Sequence, residues 1–243
     1  MLDIQQHEYF LKRILREIIN DPELNNQLVL KGGTCLYIFY GLDRFSVDLD
    51  FGLTLSQDLA VDKMNQILGK YLKIDEGRFR QGQFGWLWEA SYMKGQRQMQ
   101  IDVSKRQYPD KYEIKQFYGL SLKTLDQPSL FAHKLCAILD RQHFQNRDLF
   151  DSHFMFEKMF EINEQVILFR TGKNLIEYLK ELEIFIKNQV DKNKMLQGLG
   201  ELLDEKRKFW VKTKLIDELL AQLGLKIDSL EGRLQHPPLV PAN

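Results

Sequence analysis

The sequence predicts an α+β protein made of a mixed α/β half, residues 1 to 125, and an all-helical half, residues 126 to 243. Three observations predict it. Before Pro128, short apolar stretches of strand length alternate with stretches of helical period. After Pro128 the pattern turns helical and stays so to about Leu225. With 243 residues the chain can bury a full core, as one large domain or two small ones.

Each element follows from its pattern. Residues 4 to 20 place Ile4, Phe10, Leu11, Ile14, Leu15, Ile18 and Ile19 at helical spacing, and Asp21-Pro22 ends that helix. QLVL, residues 27 to 30, reads as a short buried strand that stops at Gly32-Gly33. TCLYIFYG reads as a helix starting at Thr34, and SVDLDFGL, residues 46 to 53, alternates as a strand does. Residues 58 to 73 are again helical. QFGWLWEASYM and RQMQIDVSK, split by Lys94-Gly95-Gln96, read as the two strands of a hairpin. The last residues, LQHPPLVPAN, are Pro-rich and extended. No internal repeat or low-complexity tract interrupts this order.

Composition narrows the function. Apolar residues make up 44% and charged residues 28%, an ordinary globular balance. No apolar run reaches the ~18 residues of a membrane span, and MLDIQQHEYFLKR has no signal-peptide core. The two cysteines, Cys35 and Cys136, sit inside apolar patterns and read as reduced core residues of a cytoplasmic protein. The five histidines lack the spacing of a zinc site. Thirty-four basic residues balance 34 acidic ones, so any attraction for nucleic acid must come from a local patch. Residues 70 to 115 offer one, with ten Lys/Arg against six Asp/Glu and Phe79, Phe84, Trp86, Trp88 and Tyr92 between them. The run from Glu205 to Lys214 is a second. Either is equally a solvated face beside a core element. There is no G-x-S-x-G elbow and no P-loop.

The chemistry concentrates near one strand. Asp48 and Asp50 are two apart and point to one face, while Val47, Leu49 and Phe51 point to the other. Two neighbouring carboxylates repel, and a divalent cation offsets that repulsion. A lone D-x-D is equally the polar outer face of an edge strand. It is not alone here. The strand-Gly32-Gly33-helix turn presents backbone N–H groups and a positive helix end to an anion. Thr34 adds a hydroxyl and Lys31 a charge. A third carboxylate, Asp102, lies on a strand able to pair alongside. Three such acids can hold two metals, one for the attacking oxygen and one for a triphosphate.

These residues carry a resemblance. Lys31, Gly32, Gly33, Thr34 and Leu36, then Arg44, Ser46, Asp48, Leu49, Asp50 and Phe51, resemble the K-G-G-T-x-L and R-x-S-x-D-L-D-F motifs of the AbiEii/AbiGii toxin family, which includes the MenT toxins. That family belongs to the polymerase-beta-like nucleotidyltransferases. A helical Lys134 followed by Arg141, Arg147, Asp148 and Asp151 is similar to its later Lys and R-D-x-x-D segment. The resemblance implies transfer of NMP from an NTP, with Mg²⁺ held by Asp48, Asp50 and Asp102. It implies Lys31, Gly32, Gly33, Thr34, Ser46 and Lys134 as nucleotide-binding residues, and Lys134 and Asp148 as catalytic contributions from a helical half that completes the NTP cleft. It further implies a tRNA 3′ end as acceptor and a cognate antitoxin as partner. Read from the residues alone, Arg141, Arg147 and Asp151 are equally an interhelical ion-pair network. NMP transfer to a protein side chain, and a non-catalytic NTP-binding module, remain the alternative functions.

Overall fold

The computed structural model describes residues 2–54, 58–92, 98–141 and 144–235. The chain divides into two compact units, Met1–Asp126 and Gln127–Asn243. The architecture is α+β.

The first unit begins with α1, Ile4–Asn20, whose Asp3 side chain caps the Gln6 N–H. Leu11, Ile14, Leu15 and Ile18 recur at helical spacing and are fully buried. The short helix α2, Pro22–Gln27, was not legible as a helix of its own. Pro22 starts it, and the Asp21 carboxylate accepts from the Glu23 and Leu24 amides. Then come β1, Leu28–Lys31, and α3, Gly32–Tyr40. The helix α3 starts at Gly32, two residues before the expected Thr34, and packs on β1 and on β2, Leu49–Leu53. The helix α4 spans Val61–Gly69. The expected helix to residue 73 ends there, because Lys73–Gly82 enters the sheet as β3.

The sheet has seven strands in the order β3-β4-β5-β2-β1-β7-β6, completed by β4 (Gly85–Ser91), β5 (Met99–Ser104), β6 (Tyr112–Phe117) and β7 (Leu120–Leu125). It is mixed: β2 pairs parallel with β5 and β1 parallel with β7, while the other neighbours are antiparallel. The expected hairpin strands are β4 and β5; the Lys94-Gly95-Gln96 connection lies outside the described residues. Alternation places Trp86, Trp88 and Ala90 of β4 and Met99, Ile101 and Val103 of β5 in the core, leaving Leu87, Glu89, Gln100 and Asp102 on the other face. The core positions Val47, Leu49 and Phe51 are buried as their period requires.

The second unit is helical: α5 (Gln127–Asp140), α6 (Asn146–Glu157), α7 (Glu164–Thr171), α8 (Leu175–Gln189), α9 (Glu205–Thr213) and α10 (Leu215–Gln235). Its core joins α5 to α6 and α7, and α10 to α6 and α8. Leu215, Ile216, Leu219 and Leu223 are buried there. The buried Tyr178 hydroxyl donates to the Leu135 carbonyl at 2.9 Å, tying α8 to α5. No helix among the described residues is long and apolar enough to cross a membrane.

Candidate active site

Strand register assembles the acids. Lys31 of β1 stands opposite Asp50 of β2, and Asp50 stands opposite Asp102 of β5. Paired residues share a face, so a cation and two carboxylates lie abreast across three adjacent strands. Asp48 is on the same face two residues before Asp50. Its Oδ1 accepts the Gln100 backbone N–H at 3.2 Å. Gln100 continues the polar row outward: its Nε2 donates to Glu89 at 2.9 Å, and Glu89 pairs with Arg80 at 3.0 Å.

The glycine turn fits against this row. Gly32 has φ +73, and a Cβ there would lie 2.2 Å from Asp50 Oδ2. The position therefore needs glycine twice, for its left-handed backbone and for the carboxylate pressed against it. At Gly33 a Cβ would approach the Arg44 guanidinium to 2.8 Å and Ser46 Oγ to 3.0 Å. No side chain caps the start of α3.

Thr34 and Ser46 take positions that differ from a phosphate contact. Thr34 is fully buried, and its hydroxyl donates to the Asp48 backbone carbonyl. Ser46 Oγ lies 2.9 Å from the same hydroxyl and is also buried. Both hydroxyls fasten the entry to β2 onto the first turn of α3. Arg44 is buried too, at 3% exposure, with Nη1 donating to the Phe45 carbonyl at 3.0 Å.

Electrostatics mark Asp102. Burial raises its carboxyl above the ordinary 3.8, and the Asp50 carboxylate raises it further, against the opposing pull of Lys31 and Arg106. Among the described residues, no group of three or more His, Cys, Asp or Glu side chains is gathered so as to hold a metal ion alone. The donor set is instead two hard carboxylates abreast, under mutual repulsion. That suits a Mg²⁺-like ion, which takes one or two carboxylates and completes its shell with phosphate oxygens and water.

The helical unit holds the other predicted residues. Lys134 of α5 lies 3.0 Å from Asp148 and 2.8 Å from Asp151, both of α6. The two aspartates are completely buried and the lysine side chain is 12% exposed. Arg141 Nε lies 3.4 Å from the second Asp148 oxygen. Asp148 thus orients Lys134, and Asp151 pairs across to α5, where sequence spacing suggested a pair with Arg147.

Beside Asp102 sits part of the basic, aromatic-rich stretch. The Lys105 ammonium lies 4.1 Å over the buried Trp86 ring, and the Arg106 guanidinium 4.4 Å over the exposed ring of Phe84. Trp86 and Trp88 are core residues. Arg97 lies outside the described residues. Sequence reasoning missed Gln100, whose contribution is a backbone amide and leaves no side-chain signal. It quoted Arg44 within a motif without a role.

A family model described as "Nucleotidyl transferase AbiEii toxin, Type IV TA system" matches residues 13–219. No curated protein matches the sequence significantly. Among solved structures, JHP933 from Helicobacter pylori superposes with a TM-score of 0.60 at 21% identity, over 97% of each chain. MenT4, a nucleotidyltransferase toxin from Mycobacterium tuberculosis H37Rv, superposes with a TM-score of 0.51 at 16% identity, over 91% of this chain and 93% of that one. At these identities the likeness to the two structures is one of fold.

Two predictions follow from the charges. Lys134→Ala leaves Asp148 and Asp151 buried without their lysine, and should cost roughly 3–5 kcal/mol of stability. Adding Asp151→Asn should recover part of it in chemical denaturation. A single variant as stable as the wild type would contradict the buried network. For Asp102, a raised folded-state pKa means that its stability contribution is full below 3.8 and lost as pH rises through the folded value. Asp102→Asn should therefore raise Tm near neutral pH and give little gain in acid below that value. Melting curves across pH read this directly, and an identical Tm difference at every pH would refute it.

Proposed function

Because this chain belongs to the AbiEii nucleotidyl transferase toxin family of type IV toxin–antitoxin systems, we propose that it transfers NMP from an NTP to a hydroxyl at the 3′ end of a tRNA. The observation that carries this reading is the register of Lys31, Asp50 and Asp102 across three strands, beside the Gly32 turn. In the reaction the acceptor oxygen attacks the α-phosphorus in line. The bond from that phosphorus to the bridging oxygen breaks, and pyrophosphate leaves.

Each residue has a part in this scheme. Asp48, Asp50 and Asp102 would hold Mg²⁺. That ion, when bound, supplies positive charge to the triphosphate and to the attacking oxygen. Asp102 takes the acceptor proton; its raised proton affinity and its place beside Asp50 suit it to that task. Lys31 and the backbone amides of Gly32 and Gly33 neutralise the triphosphate. Thr34 and Ser46 act through Asp48, by fixing the strand that carries it. Lys134 and Asp148 belong to the helical unit, and their share in binding the triphosphate rests on the family resemblance. Lys105 and Arg106 hold phosphates of the tRNA, since both follow closely on the strand of Asp102 and lie over aromatic rings. A separately encoded antitoxin is the expected counterpart of such a toxin.

The test is incubation with labelled NTPs and Mg²⁺ together with either total tRNA or total protein. Label should enter RNA, and Asp50→Asn should lower transfer by roughly 10²–10³-fold or more without unfolding the chain. Label in protein alone would replace the acceptor, and label in neither would leave a binding module. Reversing Lys105 and Arg106 to Glu should reduce the slope of log tRNA affinity against log salt by about 1.4–1.8, at 0.7–0.9 per lost contact. NTP affinity should stay as it was. An unaltered salt slope would move the tRNA contact elsewhere, with Glu205 to Lys214 as the next surface to probe.

A further inference from the structure

Tyr9, Lys12, Arg13 and Arg16 stand at i, i+3, i+4 and i+7 on α1, and so on one face of it. The opposite face carries the buried Leu11, Ile14, Leu15 and Ile18. The basic face opens on a groove of about 500 Å³, closed on its far side by Tyr118. None of Lys31, Asp48, Asp50 and Asp102 lines it.

Tyr118 is an unusual residue for its place. It and Gly119 form the two-residue turn between β6 and β7, with φ of 48 and 79. Both central residues of such a turn need positive φ, which favours Asn-Gly. A tyrosine there carries backbone strain and yet spends little of its ring on packing, being 66% exposed. Tyr9, facing it across the groove, is 61% exposed. The nearby carboxylates are engaged. Glu8 is held by Lys12 at 2.7 Å and by the Tyr37 hydroxyl at 2.8 Å, and Glu17 by Lys70 at 3.4 Å. Arg13 donates to the Tyr71 hydroxyl at 3.2 Å, and neither it nor Arg16 has an ion pair among the described residues.

We propose that this groove is a second nucleic-acid contact, in which Tyr9 and Tyr118 stack on bases of a single-stranded RNA segment while Arg13 and Arg16 hold its phosphates. Exposed rings interleaved with guanidiniums are the chemistry of single-strand binding. An acidic peptide would satisfy the guanidiniums and leave both rings in water. The face runs about 10 Å along the helix, enough for a short strand. As a station for the acceptor, the groove rests on the reading that the acceptor is RNA.

The test measures binding of a short labelled single-stranded RNA to the full chain without NTP, so that failure of transfer does not enter. Tyr118→Asn installs the residue the turn prefers and keeps the fold; it should weaken RNA binding about tenfold. Arg13→Gln with Arg16→Gln should lower the salt slope by about 1.4–1.8. NTP affinity should not move in either variant. A wild-type chain that binds RNA here but labels no RNA would support the groove and overturn the tRNA acceptor. RNA affinity and salt slope unchanged in both variants would overturn the groove, as would a poly-glutamate probe that binds it more tightly than RNA does.

Discussion

The first unit is arranged around one unfavourable contact, the side-by-side placement of Asp50 and Asp102 on paired parallel strands. Two like charges abreast destabilise a sheet, and burial of Asp102 makes the repulsion worse. The surroundings fit that contact from several sides. Lys31 stands next to Asp50 in register, and Gly32 lets the backbone close against the carboxylate. Thr34 and Ser46 fasten the approach to β2 so that the acids cannot drift apart. The stabilising groups are thus spent on holding a repulsive pair in place. That is the expected condition of a site built to receive a polycation-balanced anion rather than to maximise its own stability.

The helical unit repeats the theme with the signs reversed in importance. There two completely buried aspartates converge on one lysine. Such a cluster contributes little net stability relative to an apolar core, but removing one member is costly. It defines where the Lys134 ammonium sits more narrowly than packing alone would. Precision of a charge, rather than strength of a fold, is what the arrangement secures.

Much of this was legible before any coordinates. Alternation alone put Asp48 and Asp50 on one face and Val47, Leu49 and Phe51 in the core, because the strand period is rigid. The mixed first half and helical second half follow from the change of period at Pro128. What was not legible is instructive. Strand β3 hides behind a helical pattern ending at residue 73, and α2 behind a Pro that reads as a stop but serves as a first helical residue. The β6–β7 hairpin turns on Tyr-Gly, outside the usual turn vocabulary. The phosphate role read into Thr34 came from its motif position; its hydroxyl instead answers a backbone carbonyl, a partner that composition and spacing do not reveal. Sequence patterns locate faces, and register decides which groups on those faces meet.

The parallel pairing of β2 with β5 also has a kinetic meaning. Asp50 and Asp102 are brought together by a contact spanning about fifty residues, and β1 is flanked by β7, whose Thr124 pairs with Leu30. Contacts of such long sequence separation form late, after the entropy of closing the intervening loops has been overcome. A chain emerging from the ribosome therefore carries its glycine turn and its D-x-D strand for some time without the third carboxylate. For an enzyme of a toxin family, the topology itself delays assembly of the acidic row until the sheet is nearly complete, and ties the onset of activity to the end of folding rather than to the appearance of the motif.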